Sequence, residues 1–79
     1  MEIHIIKENG TAEIIRLRVN LSDTIEVVKA KIKEEINIPI LKQKLTFAHR
    51  VLDNDRTLFD CGIRNESCIR LSAQVFIFS

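Results

Sequence analysis

The groups in this protein that could perform nucleophilic, redox or metal chemistry are two thiols, Cys61 and Cys68, and two imidazoles, His4 and His49. A tetrahedral zinc site needs ligands at short, regular spacings, and these residues do not have such spacings. A disulfide framework in a protein this small normally uses more cysteines than these. We therefore expect reduced thiols, no metal site and no cofactor.

Catalytic motifs are also missing from the sequence. The two histidines lie on different predicted elements, and neither cysteine has a histidine at the spacing of a known nucleophile motif. No glycine-rich phosphate-binding loop is present, because the only glycines are Gly10 and Gly62. These observations predict a protein that is not an enzyme and that works by binding.

The length of the sequence indicates the number of domains, and its net charge indicates the class of partner. A sequence of 79 residues makes one domain. The formal net charge of +1 predicts no bulk attraction to nucleic acid or to a membrane surface. No apolar run approaches the ~20 residues of a membrane span, and the amino terminus lacks the features of a signal peptide. We expect a monomeric protein of the cytoplasm or nucleus with a protein partner.

The elements that position the candidate residues begin with a hairpin. Residues 1–7 and 12–19 both alternate between apolar and polar side chains, which predicts two half-buried strands. The dipeptide Asn9-Gly10 between them is typical of a hairpin turn. The two strands are therefore expected to pair with each other in antiparallel fashion.

Whether the hairpin loop has an odd or an even number of residues decides which side chains are exposed. A simple two-residue turn would place Ile3 opposite Arg16, which buries an arginine or exposes part of the core. A loop with an odd number of residues, three with Gly10 in a left-handed conformation, shifts the register by one and restores apolar pairs. The same register places Ile6 opposite Ile14 on the outer face of the sheet.

The remaining elements follow from capping residues and spacing. Ser22-Asp23-Thr24 predicts a helix start, and Asn37 predicts its end. Strands are predicted at residues 44–49, 51–52 and 67–75, with a short helical turn at residues 57–60. The outline of two strands, one helix and shorter strands predicts an α+β fold of the β-grasp type. The expected inward residues are Ile3, Ile5, Ile15, Leu17, Val19, Ile25, Val28, Ile32, Leu45, Leu52, Leu58, Ile63, Ile69, Leu71 and Ala73.

An ordered series of residues carries a family resemblance along most of the sequence. The series comprises Ser22-Asp23-Thr24-Ile25, Val28-Lys29-Ala30-Lys31-Ile32, Ile38-Pro39, Gln43, Leu45, Phe47-Ala48, Arg56-Thr57-Leu58, Asp60 and Glu66-Ser67. It resembles the ubiquitin family over residues 1–75, with the first hairpin expanded. The resemblance implies a mixed sheet curled over one helix, with the first and last strands parallel. Residues 76–79 are expected to form an apolar tail or the start of a linker.

Three departures from the family pattern bear on function. A ubiquitin-type modifier reacts through a carboxyl-terminal Gly-Gly, and no such pair occurs in this sequence. The outer-face aliphatic residues by which ubiquitin is gripped read Thr46 and Ser72 here, and the first loop is rebuilt. The lysine position used for degradative polymers reads Arg50. The resemblance therefore implies an interaction domain of the ubiquitin–proteasome system that is not conjugated to other proteins.

The outer face offers two candidate contacts for a protein partner. The first is the isoleucine pair Ile6 and Ile14, bordered by His4, Arg16 and Arg70. A pair of exposed β-branched residues also occurs for strand propensity alone, and that alternative stays open.

The second candidate contact is a ring of cations around Thr46 and Ser72. Its members are Lys44, His49, Arg50 and Arg70. The ring suits an acidic segment of a partner, although a merely solvated face has the same composition.

Three classes of function follow from these residues. The first is a non-conjugated ubiquitin-like interaction domain, belonging to a larger protein or standing alone. The second is a divergent or processed modifier. The third is another β-grasp use, a sulfur carrier or a small-GTPase-binding domain; Arg16 and Arg18 on the second strand are a hint of GTPase binding.

Overall fold

One mixed sheet of five strands organises the molecule, in the order β2-β1-β5-β3-β4. A computed structural model of the protein describes residues 1–8 and 13–73. The elements are β1 (Glu2–Lys7), β2 (Ile14–Arg18), α1 (Ile25–Ile36), a 3-10 helix (Ile40–Lys42), β3 (Gln43–Phe47), β4 (Arg50–Val51) and β5 (Cys68–Ala73). The strands β1 and β5 run parallel, and the other neighbours are antiparallel. The predicted α+β, β-grasp architecture is confirmed.

The core lies between one face of the sheet and α1, and it is aliphatic throughout. Its buried members are Ile3, Ile5, Leu17, Val19, Ile25, Val28, Ile32, Leu45, Leu52, Leu58, Ile63, Ile69 and Leu71. All of these were predicted to point inward. Ile15 is only partly buried against the cluster. The prediction for Ala73 was wrong: it is exposed, because it ends β5 beyond the last core residue of that strand.

The first hairpin has the register that was predicted from the alternation of its side chains. Ile3 pairs with Leu17, and Ile6 pairs with Ile14. The amide of Lys7 donates to the carbonyl oxygen of Glu13 over 3.0 Å, which leaves residues 8–12 as an odd-numbered connection. The odd loop is therefore confirmed. Its predicted three-residue turn and the conformation of Gly10 lie outside the described residues.

Capping residues set the bounds of α1 as predicted. Thr24 is the N-cap, and its Oγ1 accepts a hydrogen bond from the amide of Val27 over 3.3 Å. Asn37 ends the helix in the left-handed conformation at φ 60°, and its amide donates to the carbonyl of Lys33. Neither helix in the described part of the protein is long and apolar enough to cross a membrane.

Two later elements are shorter than the sequence suggested. The strand expected to continue to His49 stops at Phe47, because Ala48 and His49 form the turn into β4 with φ of 52° and 65°. Residues 57–60 form a hydrogen-bonded turn in place of a helical segment. The predicted domain boundary between residues 75 and 76 lies outside the described residues.

Candidate functional site: the outer face of the sheet

The face of the sheet turned away from α1 carries a continuous row of side chains across all five strands. Strand pairing places Ile14, Ile6, Arg70, Thr46 and Val51 side by side in that order. We call these five residues the central row. Directly paired residues share a face of a sheet, so the row is set by backbone register alone.

The isoleucine pair forms one end of the central row. Ile14 is 60% exposed on the edge strand β2, and Ile6 is half-buried beside it on β1. His4 and Arg16 form the next pair along the same two strands, and Arg70 pairs with Ile6 from the other side. The structure therefore brings together the two isoleucines and the three polar residues that the sequence placed around them.

Arg70 is engaged by a carboxylate that sequence reasoning missed. Its Nη1 lies 3.3 Å from Oε1 of Glu8, and the hydroxyl of Ser72 donates to Oε2 of the same carboxylate over 3.3 Å. Glu8 has the same parity as Ile6, which is the signal that could have located it on the outer face. Its carboxylate neutralises part of the positive charge in the middle of this face.

His4 lies half-buried between the isoleucine pair and the start of β1. Its Nε2 is 3.6 Å from Oε1 of Glu2 on the same face. This contact is an ion pair only when the imidazole is protonated. His4 is therefore a polar border of the isoleucine pair and is not placed next to the other histidine.

His49 borders a small cleft at the other end of the face. A cavity of about 220 Å³ is lined by Thr46, Ala48, His49, Cys68 and Arg70. The turn of β3 into β4 carries His49 over this cleft, so the structure brings His49, Thr46 and Arg70 together.

The expectation for Arg50 was wrong, because it pairs with Phe47 and not with a residue of the outer face. Arg50 lines a separate, larger cleft of about 550 Å³. Lys44 does lie beside Ser72, as expected. The cationic ring around Thr46 and Ser72 therefore has fewer members than predicted.

Val51, which is 58% exposed, completes the central row and was missed as a site residue. The sequence could have located it, because Leu52 was predicted to point inward and adjacent residues of a strand point to opposite faces.

The two thiols of the protein lie in different places. Cys68 is exposed next to His4, and Cys61 lies elsewhere, beside the larger cleft. Burial, assisted by the nearby Asp60 carboxylate, raises the pKa of the Cys61 thiol and keeps it protonated. Within residues 1–8 and 13–73, no group of His, Cys, Asp or Glu side chains is arranged to hold a metal ion. The surface is suited to recognition by apolar contact and charge.

The order of strands and the single helix define a small domain of the β-grasp fold. A comparison with protein families matches residues 3–75 to the ubiquitin family. The protein therefore belongs to the ubiquitin family.

Proposed function

We propose that this protein is a non-conjugated ubiquitin-like interaction domain that binds a protein partner through the outer face of its sheet. It has no enzymatic activity and serves in the ubiquitin–proteasome system, either within a larger protein or alone. The thiols Cys61 and Cys68 are both free, which suits the cytoplasm or nucleus. The domain acts as a monomer that presents one face.

The observation that carries this proposal is the exposed isoleucine pair at the end of the central row. The hydrophobic core does not use Ile14, and Ile6 is covered only in part. Complete desolvation of such a side chain at an interface contributes roughly 1.5–3 kcal/mol. The neighbouring Arg16 and Arg70 supply charges that orient an acidic partner and raise its rate of association.

The partner is expected to differ from the receptors that grip ubiquitin itself. Thr46 and Ser72 occupy the positions where such receptors use aliphatic groups, by the resemblance described above. Ser72 directs its hydroxyl to the Glu8 carboxylate, so an apolar receptor that covered this place would desolvate a charged group. The favourable apolar contact has moved from the middle of the face to the β1–β2 end.

Conjugation through these 79 residues would lack the Gly-Gly pair that it requires. Gly62, the one glycine in the described residues, lies in a turn at φ 75° before the sheet's last strand. A modifier needs an unbranched, flexible reacting end, and no Gly-Gly pair exists in these 79 residues for cleavage to expose.

The test compares two matched double variants. Ile6→Lys with Ile14→Thr removes the apolar pair, and Leu21→Thr with Phe59→Lys makes the same kind of change at an exposed apolar pair elsewhere. Proteins captured by the wild type are identified, and the affinity of each variant for the captured partner is measured by calorimetry. We expect the first variant to stay folded and to bind about tenfold or more weakly. Normal binding by that variant, with loss in the second, would place the site away from the outer face.

Unfolding of the Ile6 and Ile14 variant would contradict the proposal in another way. It would mean that these side chains are structural and are not reserved for a partner. A urea denaturation curve of each variant distinguishes this outcome from a specific loss of binding.

The outer edge of β2, where the Arg18 carbonyl oxygen accepts from Nζ of Lys31 over 2.9 Å, favours a second candidate, a small-GTPase-binding domain. Backbone hydrogen bonds from Lys7 to Glu13 and from Val19 to Met1 show that the odd-numbered residues of β2 bond to β1. The backbone N–H and C=O groups of residues 14, 16 and 18 therefore point away from β1. Arg16 and Arg18 are exposed along this edge. A pull-down with nucleotide-loaded GTPases, repeated with Arg16→Glu and Arg18→Glu, tests it. Retention that depends on the nucleotide and on both arginines would favour this candidate.

A further inference from the structure

The contact between α1 and the turn after β4 contains a buried ammonium group whose acceptor is neutral. Lys29 is only 7% exposed, and its Nζ donates to Oδ1 of Asn54 over 2.6 Å. A lysine ammonium only donates, so the oxygen of the Asn54 amide must face it. Among the described residues, no carboxylate lies within ion-pair distance of Lys29. Burial, opposed by the nearby Glu26 carboxylate, lowers the pKa of Lys29.

Position 54 also faces the amino-terminal end of α1. The amide of Glu26 donates to the carbonyl oxygen of Asn54 over 3.2 Å, and the amide of Ile25 donates to the carbonyl of Arg56. The first amides of a helix carry a partial positive charge, which favours a negative group beside them. The helix end contacts only the backbone carbonyl of residue 54, whereas the Lys29 ammonium contacts its side chain, so Lys29 is the group that would bind a carboxylate there.

The local sequence supplies a route to that charge. Asn54 is exposed and is followed by Asp55 in a turn closed by a hydrogen bond from the Arg56 amide to the Asp53 carbonyl over 3.2 Å. We propose that Asn54 is a deamidation site, at which loss of ammonia converts the neutral acceptor of Lys29 into a carboxylate that locks α1 to this turn. This inference does not depend on the function proposed above.

The chemistry needs only water as a co-reactant. The backbone nitrogen of Asp55 attacks Cγ of Asn54, the bond from Cγ to Nδ2 breaks, and ammonia leaves with the proton of the Asp55 amide, so that a five-membered imide remains. Water that opens the imide at the bond from Cγ to the Asp55 nitrogen gives aspartate at position 54, and water that opens it at the main-chain carbonyl gives isoaspartate. The Lys29 ammonium donates to the oxygen on which negative charge develops during the attack, and it pairs with the carboxylate afterwards.

The charges around Lys29 and residue 54 determine how much a carboxylate at residue 54 would stabilise the protein. Glu26 lies one turn before Lys29 on α1, and Asp53 and Asp55 flank Asn54 in the turn; all three acidic residues are exposed. Repulsion among exposed carboxylates is screened by solvent, whereas the contact to the buried ammonium is direct. A hydrogen bond to a charged group is stronger than one between neutral groups, so we expect the equilibrium constant for unfolding to fall about fivefold or more.

One experiment uses Asn54→Asp as the product form. Its unfolding constant at neutral pH is compared with that of the wild type, with Lys29→Met, and with the double variant of both positions. Asn65→Asp is the matched control, because its oxygen accepts from the backbone amide of Glu2 and not from an ammonium. The expected gain appears in Asn54→Asp alone, vanishes in the double variant and has no counterpart in the control. No gain in Asn54→Asp, or a gain that persists without Lys29, overturns the proposal.

A second experiment follows the reaction itself. The wild-type protein is held at mildly alkaline pH, and conversion of each asparagine is measured by site-resolved mass spectrometry. Asn54 should convert several-fold faster than Asn20, Asn37 and Asn65, and Lys29→Met should slow the reaction at Asn54. Equal rates at these sites, or a rate unaffected by Lys29→Met in a folded variant, would overturn the assignment. If the Lys29 variant does not fold, the comparison of Asn54→Asp with the wild type decides.

Discussion

Charged side chains at two positions show how single residues set the properties of this domain. On the outer face, Arg70 finds the carboxylate of Glu8, so a partner meets a surface whose central charge is already partly satisfied. Beneath the turn after β4, Lys29 finds only the amide of Asn54. The contact of Arg70 with Glu8 is exposed and contributes little to stability. The Lys29 ammonium is buried, and the free energy that its desolvation costs depends on pH.

Lys29 gives a residue-scale prediction about pH and stability. Its lowered pKa means that, between the folded value and the ordinary value of 10.5, the unfolded protein binds more protons than the folded protein. The contribution of Lys29 to the free energy of unfolding should therefore rise as pH increases through this alkaline window, whereas Cys61, whose pKa is raised, contributes in the opposite direction in the wild type and in Lys29→Met alike. In Lys29→Met the rise should be absent. Urea denaturation midpoints measured from neutral to alkaline pH check this, and equal slopes in both proteins would contradict it.

The residues of the candidate site differ in how far the sequence could reveal them. Parity in the first hairpin located Ile6 and Ile14, because a one-residue shift would have buried an arginine. Glu8 was missed since its contact with Arg70 depends on the parallel pairing of β1 with β5, which joins distant parts of the sequence. Arg50 was misplaced because the length of the turn after β3 decides which face it shares.

At the scale of elements, the turn between β3 and β4 carries backbone strain next to the candidate site. Ala48 and His49 both have positive φ, where residues with a Cβ are disfavoured. Two-residue hairpin turns of this kind favour asparagine and glycine. The absence of those residues here explains why the sequence pattern extended the strand to His49. This strain lies beside the face that is proposed to bind a partner.

We predict that relieving the backbone strain of this turn stabilises the protein. Ala48→Gly should increase the free energy of unfolding by about 1 kcal/mol, because glycine adopts positive φ without steric conflict. The same change at Ala30 inside α1 should have the opposite sign, since glycine destabilises a helix interior. Chemical denaturation of both variants is the measurement. A loss of stability in Ala48→Gly would show that the turn is not strained.

For the whole molecule, membership in the ubiquitin family fixes the scaffold but not its use. The order of strands, the single helix and the aliphatic core followed from alternation, capping residues and the family series. The partner did not follow, because a recognition face is defined by a few exposed residues that the fold does not require. Ile6 and Ile14 are the residues proposed for such a face, and neither belongs to the buried core.

A molecule-scale prediction concerns conjugation. With ATP and a ubiquitin-activating enzyme, the 79-residue protein should form no thioester, because it contains no Gly-Gly pair. Non-reducing gel electrophoresis with and without a thiol reductant is the assay, and ubiquitin is the positive control. A thiol-sensitive adduct at the carboxyl terminus would favour the modifier alternative over the proposed binding role.

The most direct test of the central claim is a methyl NMR titration with isoleucine δ1 groups labelled. Buried Ile3 and Ile5 report on the integrity of the core, and Ile38 and Ile40 report on the side of the molecule near the 3-10 helix. With the captured partner added, we expect the methyl signals of Ile6 and Ile14 to shift or broaden while those of Ile38 and Ile40 do not. Shifts confined to Ile38 and Ile40, with Ile6 and Ile14 unchanged at saturation, would contradict it.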